Sequence, residues 1–177
     1  MSERPLLDMR NIGKNYFETR VLNDINFKIY PGEIHAIVGE NGAGKSTLMN
    51  ILFGMNVIHS TGGYDGEIYI DGEKSEITSP QMAMEYGIGM VHQEFMLLPN
   101  YSITENIKLN REKLKPNILS RVFGEKIKSL NYKKMNNDAR QALDKLDIDI
   151  EEYVTVAGLP VGYMQFTEIA REIDKDI

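Results

Sequence analysis

The chain has 177 residues, 42% hydrophobic and 26% charged, with 15 glycines and neither cysteine nor tryptophan. That is one ordinary domain's length with enough apolar content for a core, which excludes wholesale disorder. Twenty Lys and Arg against 26 Asp and Glu give a formal charge of −6, a poor field for coating nucleic acid or anionic lipid, and the lack of thiols excludes disulfides, thiolate metal sites and a cysteine nucleophile.

The N-terminus, MSERPLLDMR, is charged from the start and lacks the apolar centre of a signal peptide. No run approaches the roughly 18 apolar residues of a membrane helix, so a soluble, intracellular protein is expected. Residues 5–93 carry short apolar runs separated by Gly, Asp-Gly and Ser-Pro, the punctuation of strands and turns. Leu6–Met9, Ile25–Ile29 and His35–Val38 are expected strands. Glu67–Ile70 and Glu73–Ile77 flank Asp71-Gly72, which suits a tight hairpin because glycine tolerates positive φ. Ser79 as N-cap and Pro80 in the first turn open a short helix ending at Gly87, and Ile88–His92 is expected as the next strand. From Ser102 the chain turns helical. Ser102 and Glu105 have capping-box spacing for a helix to about Leu109. Met135, Ala139, Ala142, Leu143 and Leu146 share one face of a second helix, and Phe166, Ile169, Ala170 and Ile173 share one face of a third. Between them Leu146–Glu152 alternates apolar and acidic residues, as in an exposed strand or turn. The last residues, Asp174-Lys175-Asp176-Ile177, carry no cap or loop chemistry, as if the chain were cut.

Gly39-Glu40-Asn41-Gly42-Ala43-Gly44-Lys45-Ser46 fits the full G-x-x-x-x-G-K-[ST] pattern. Gly42 and Gly44 let the backbone curl so that successive N–H groups, those of Asn41 and Ala43 included, point at phosphates. A helix starting near Lys45 and running through Thr47 to Phe53 adds its positive dipole end. Lys45 can reach the β- and γ-phosphates, and the Ser46 hydroxyl can ligate Mg²⁺. With an expected strand before it and an apolar helix after it, this is a nucleotide-phosphate site. The base-reading Asn-Lys-x-Asp motif of GTPases is absent from the sequence.

The wording GENGAGKSTLMNILFG closely resembles the ATP-binding subunits of ABC transporters, and the resemblance extends over essentially the whole chain. It implies an α/β fold, a P-loop NTPase of the ABC type. In this reading residues 1–100 form the nucleotide-binding core with an antiparallel β part. Residues 101–177 form a helical subdomain up to the signature helix, truncated before the acidic Walker B strand. The segment K-N-Y-F-E-T-R-V-L-N-D-I is similar to the one carrying an adenine-stacking aromatic, here Tyr16. Val91-His92-Gln93-Glu94 with Leu98-Pro99 resembles the glutamine loop, in which Gln93 would touch Mg²⁺ and the attacking water. GEIHAIVGENGAGKSTLMNILFGM and GIGMVHQEFMLLP are most similar to importers of simple sugars and of nucleosides. ATP and Mg²⁺ are the implied cofactors. The implied partners are membrane-embedded permease subunits, a second nucleotide-binding domain and, indirectly, a solute-binding protein, at the cytoplasmic face of the membrane.

Two departures from the family pattern matter. Where L-S-G-G-Q is usual the sequence reads Leu159-Pro160-Val161-Gly162-Tyr163. Pro160 has neither the serine hydroxyl nor an N–H, so the composite site built from this signature is expected to be weak and the two sites of an assembly unequal. The sequence also has no apolar strand ending in Asp-Glu, and its histidines, His35, His59 and His92, all precede the place of a switch histidine. His35 is expected in a strand and His59 in a polar loop. The chain is therefore expected to bind ATP without being a competent ATPase by itself. Residues 111–130 hold six Lys or Arg against two Glu; an insertion packing its apolar side on its own domain is preferred over a contact for a membrane partner. Two rivals remain: a soluble, non-transport ABC protein, and a non-catalytic nucleotide-binding or interaction module.

Overall fold

A computed structural model describes residues 4–116 and 129–175 of the chain. Most of the basic 111–130 segment lies outside the described residues. Two compact units divide the molecule, one running to Ile88 and the other from Gly89.

The first unit is built on an antiparallel sheet of β1 (Leu7–Tyr16), β2 (Thr19–Ile29), β3 (Asp65–Ile70) and β4 (Glu73–Ser75), in the order β2-β1-β3-β4. Both early strands are longer than their apolar runs suggest. Bulges carry the ladder past the polar residues: pairing passes from Met9↔Phe27 to Ile12↔Ile25, with one extra residue on β1. Asn11, at φ 51°, takes up that residue in the left-handed region. The phase of side-chain alternation is thereby reset, so that Ile12, Lys14 and Tyr16 join Leu7 and Met9 against the core. Asp71 and Gly72 both have positive φ, 48° and 68°, and close the expected hairpin between β3 and β4.

Helices α1 (Lys45–Leu52) and α2 (Asn56–Ser60) press Leu48, Ile51 and Ile58 onto the sheet beside Leu7, Met9, Ile12, Leu22 and Ile68. Each such side chain contributes about 1.5–3 kcal/mol through burial. Helix α3 (Pro80–Glu85) begins as expected: Met82 N–H donates to Ser79 Oγ at 3.2 Å, and Pro80 fills the first helical position. His59 is a correction to the loop expectation, since it lies in α2 with Nε2 3.2 Å from the Ile77 carbonyl oxygen.

Two expected strands are absent from the described ladders. His35–Val38 and Ile88–His92 have strand composition, yet neither pairs with any described strand. Ile34 and Val38 are 99% and 93% exposed. A strand is a paired object whose N–H and C=O groups need a neighbour, and β-branched composition alone supplies none. His35 instead bonds Glu33 at 3.0 Å and meets Phe27 edge-on, ring centroids 4.6 Å apart.

The second unit packs α4 (Ile103–Ile107), α5 (Tyr132–Asp144) and α6 (Val161–Ile173), with a minimal ribbon of β5 (Leu114–Lys115) and β6 (Ser129–Leu130). The capping box is complete: Glu105 N–H donates to Ser102 Oγ at 3.2 Å, and Ser102 N–H donates to Glu105 Oε2 at 2.8 Å. On α5 Met135, Ala139, Ala142 and Leu143 are buried, as the spacing predicts. On α6 the expectation is corrected: Phe166 is exposed, and Thr167 and Glu168 are buried beside Ala170. The Met96 N–H, donating to Glu168 at 2.5 Å, holds that face inward, while the Thr167 hydroxyl is satisfied within the helix by donating to the Tyr163 carbonyl at 2.8 Å. The 146–152 segment is turn and coil, held by the Arg140 guanidinium donating to the Ile148 and Ile150 carbonyls at 2.7 and 2.6 Å.

Fully buried Asn106 shapes the chain between Leu98 and Ser102. Its Oδ1 accepts the Leu98 N–H at 2.7 Å and its Nδ2 donates to the Leu98 and Ser102 carbonyls at 3.1 and 3.0 Å. Asn106→Leu strands the Leu98 N–H, and a loss of about 1–3 kcal/mol is expected. Urea unfolding monitored by circular dichroism reads it; an unchanged midpoint would refute the clamp.

Candidate functional site

The 39–47 loop draws its shape from two glycines and a helix end. Gly42 and Gly44 have φ of 85° and 89°, the left-handed region that side chains resist. Ala43 N–H donates back to the Glu40 carbonyl at 3.2 Å, closing a turn. A Cβ on Gly42 would meet nothing within 4 Å, whereas one on Gly44 would lie 2.6 Å from Leu22 Cδ2 and 3.2 Å from the Val21 oxygen. Gly44 thus seats the loop directly on β2, and the Gly42 side stays open.

The first bond of α1 runs from Leu48 N–H to the Gly44 carbonyl at 2.9 Å. The amides of Lys45, Ser46 and Thr47 precede it, and no side chain caps them. They form a set of aligned donors at the positive end of the helix dipole. Lys45 Nζ donates to the Gly39 and Glu40 carbonyls at 2.6 and 2.8 Å, drawing the two ends of the loop together. Asn41, Gly42, Ala43 and Ser46 are exposed, and Thr47 is half-buried. Uncapped amides, an accessible ammonium and an exposed hydroxyl are a donor set that fits a polyphosphate. The Ser46 hydroxyl is the oxygen ligand it offers to an accompanying cation.

Tyr16 ends β1, half-buried and packed against the core of the first unit. The Lys14 ammonium lies 4.8 Å from its ring centroid. Lys14 itself is 1% exposed and donates to the Ile58, Thr61 and Gly63 carbonyls and to Thr61 Oγ1, at 3.1, 3.0, 2.6 and 2.9 Å. Burial pushes its pKa down, opposed by the charge of Asp65. Upstream of the loop the Tyr30 N–H bonds to Glu33 at 2.8 Å and, with His35, holds that carboxyl below the usual range.

Gln93 is exposed and belongs to the second unit. In that unit Pro160 is the N-cap of α6, with φ −55° and ψ 146°. Val161 and Tyr163 are exposed, the Tyr163 N–H donates to the Pro160 carbonyl at 3.0 Å, and a Cβ on Gly162 would meet nothing within 4 Å. The structure therefore gathers Gly39–Thr47 into one loop and helix start, and Pro160–Tyr163 into another. Sequence reasoning missed Lys14 and Glu168, because a lysine in a strand and a glutamate in a helix carry no local sign of burial.

A family model described as ABC transporter matches residues 22–176. Among curated proteins, the chain is 40% identical over 167 residues to the ribose import ATP-binding protein of Streptococcus agalactiae serotype Ia, covering 94% of this chain and 31% of the relative. It is 37% identical over 172 residues to the L-arabinose transport ATP-binding protein of Geobacillus stearothermophilus, covering 97% and 31%. It is also 39% identical over 168 residues to the galactose/methyl galactoside import ATP-binding protein of Clostridium tetani, covering 95% and 31%. The chain thus spans about a third of the length of these relatives. Among solved structures, a nucleotide-free ATP-binding cassette from an ABC transporter superposes with a TM-score of 0.74 at 23% identity, over 97% of this chain and 66% of that one. The likeness to this cassette establishes the fold.

Proposed function

Because the chain belongs to the ABC transporter family, we propose that it acts as the ATP-binding, energy-coupling part of an importer for simple sugars. The observation that carries this reading is the loop from Gly39 to Thr47, with its uncapped amides and the Lys45 ammonium at the start of α1. Mg²⁺ bound with ATP supplies charge neutralisation at the transferred phosphate. The loop amides and Lys45 would hold the phosphate charge, Ser46 would ligate the cation and Tyr16 would stack on the base; for Gln93, the resemblance to the family implies a contact with the cation and the attacking water. The division of labour, with residues 1–100 as core and 101–177 as helical subdomain, is part of the same proposal.

No hydrolytic glutamate is assigned among these 177 residues, which contain no apolar strand ending in Asp-Glu and span about a third of the length of the relatives they match. The exposed Ile34–Val38 segment pairs with no described strand, which fits a sheet completed by other strands. Pro160 supports unequal sites in the assembly: it offers an opposing nucleotide neither a hydroxyl nor an N–H. Permease subunits, a second nucleotide-binding domain and, through them, a solute-binding protein are the partners, at the cytoplasmic face of the membrane. No described helix is long and apolar enough to cross a membrane, in keeping with a peripheral subunit. Pro160, which brings neither a hydroxyl nor an N–H to the signature position, favours one second reading, a non-catalytic nucleotide-binding module.

Disrupting the reading frame in its own cells tests the proposal, with uptake of labelled ribose, galactose, arabinose, xylose and a nucleoside as readout. Loss of uptake of one of these sugars alone is expected. Loss of nucleoside uptake instead would move the substrate to that class, and unchanged uptake throughout would leave the non-catalytic module.

A further inference from the structure

We propose that Lys14 is a positioning residue for nucleotide recognition: its ammonium ties the Tyr16 ring to the 58–63 turn and so fixes the platform on which the base stacks. The proposal rests on the reading of Tyr16 as that platform and adds the device that holds it.

The bulge at Asn11 puts Lys14 and Tyr16 on the same face of β1, side by side with Ile12. From there Lys14 reaches the end of α2 and the chain that follows it. Its ammonium has three protons, and four oxygens of Ile58, Thr61 and Gly63 lie within 3.1 Å. The Thr61 hydroxyl donates onward to the Val57 carbonyl at 2.5 Å, which leaves its lone pairs for Lys14. No carboxylate lies within ion-pair distance of Lys14 among the described residues, so neutral carbonyls, a hydroxyl and one aromatic face surround a buried cation that the charge of Asp65 favours only from farther off.

That arrangement is specific in a way an apolar residue is not. A methionine would fill the same space without bringing a charge out of water. It would not join a turn 44–49 residues away to the ring two residues along the strand. The ammonium 4.8 Å from the ring centroid favours one ring orientation through the attraction between a cation and a π face. Stacking a planar base on a ring already held in place avoids the ordering cost of a free side chain. The effect of Lys14 should therefore appear in base recognition and be silent toward phosphate.

A thermodynamic cycle on the full chain tests this, with calorimetric affinities for Mg-ATP and for Mg-tripolyphosphate, which has no base. Lys14→Met is expected to weaken Mg-ATP about five- to tenfold and to leave tripolyphosphate unchanged. In a Tyr16→Ala background the same substitution should have no effect on Mg-ATP. If Lys14→Met weakens both ligands alike, or its effect on Mg-ATP persists without Tyr16, Lys14 is merely structural and the proposal is overturned. If Tyr16→Ala alone leaves Mg-ATP affinity unchanged, the reading of Tyr16 fails, a result separable from the first and equally fatal to the role of Lys14. Should Lys14→Met not fold, Thr61→Val removes one acceptor and leaves the ammonium in place. Run through the same cycle, it is expected to show a smaller, equally base-selective and Tyr16-dependent loss; a loss for both ligands, or none, overturns the proposal.

Discussion

Lys45→Ala is expected to weaken Mg-ATP binding by about ten- to 150-fold, the equivalent of losing a charge-assisted hydrogen bond of roughly 1.5–3 kcal/mol. The lysine is half-buried at the first position of α1, and among the described residues its ammonium bonds to the Gly39 and Glu40 carbonyls of its own loop. Those exposed bonds contribute little to folding, so thermal stability should change by no more than about 0.5 kcal/mol. When a polyphosphate enters, phosphate oxygens replace neutral carbonyls as acceptors, and only the ligand-bound state loses from the substitution. Competition against a fluorescent ATP analogue, run beside thermal melts, separates the two quantities. Wild-type affinity in Lys45→Ala would mean that the 39–47 loop is not a phosphate site.

Gly44→Ala is expected to destabilise the first unit by about 2–5 kcal/mol and to remove nucleotide binding with it. Two costs combine. At φ 89° an alanine pays roughly 1–2 kcal/mol for the left-handed backbone. Its methyl would also lie 2.6 Å from Leu22 Cδ2, and overpacking of that kind costs about 1–3 kcal/mol. Leu22 is 4% exposed within the core cluster and cannot simply turn aside. Gly42→Ala is the control: its φ of 85° is nearly the same, but nothing lies within 4 Å of the added methyl. It should lose only the backbone cost, about 1–2 kcal/mol. Urea denaturation of both variants decides the matter, and equal losses would show that the seat on Leu22 does not limit substitution.

Much of the molecule's local structure is legible in the sequence. Asp71-Gly72, Ser79-Pro80 and Ser102 with Glu105 each signal through chemistry that acts within four residues, and each forms the turn or cap its spacing implies. The G-x-x-x-x-G-K-S loop is of the same kind: its glycine conformations and helix start are local requirements. The α6 face was misread because periodicity counts apolar residues, whereas burial there follows the hydrogen bond from Met96 to Glu168, 72 residues apart. Lys14 escaped notice for a like reason, since its partners lie 44–49 residues further along.

The sequence by itself determined the class of the protein and the local shape of its 39–47 loop, because both rest on residue types at fixed short spacings. Tertiary structure alone decided which polar side chains are buried and which apolar runs become strands. His35–Val38 and Ile88–His92 have the composition of strands and no ladder among the described residues. Lys14 and Glu168 have the composition of a surface and lie inside. A backbone hydrogen bond or a buried charge is a property of two groups, and the second group lies where only the folded chain brings it.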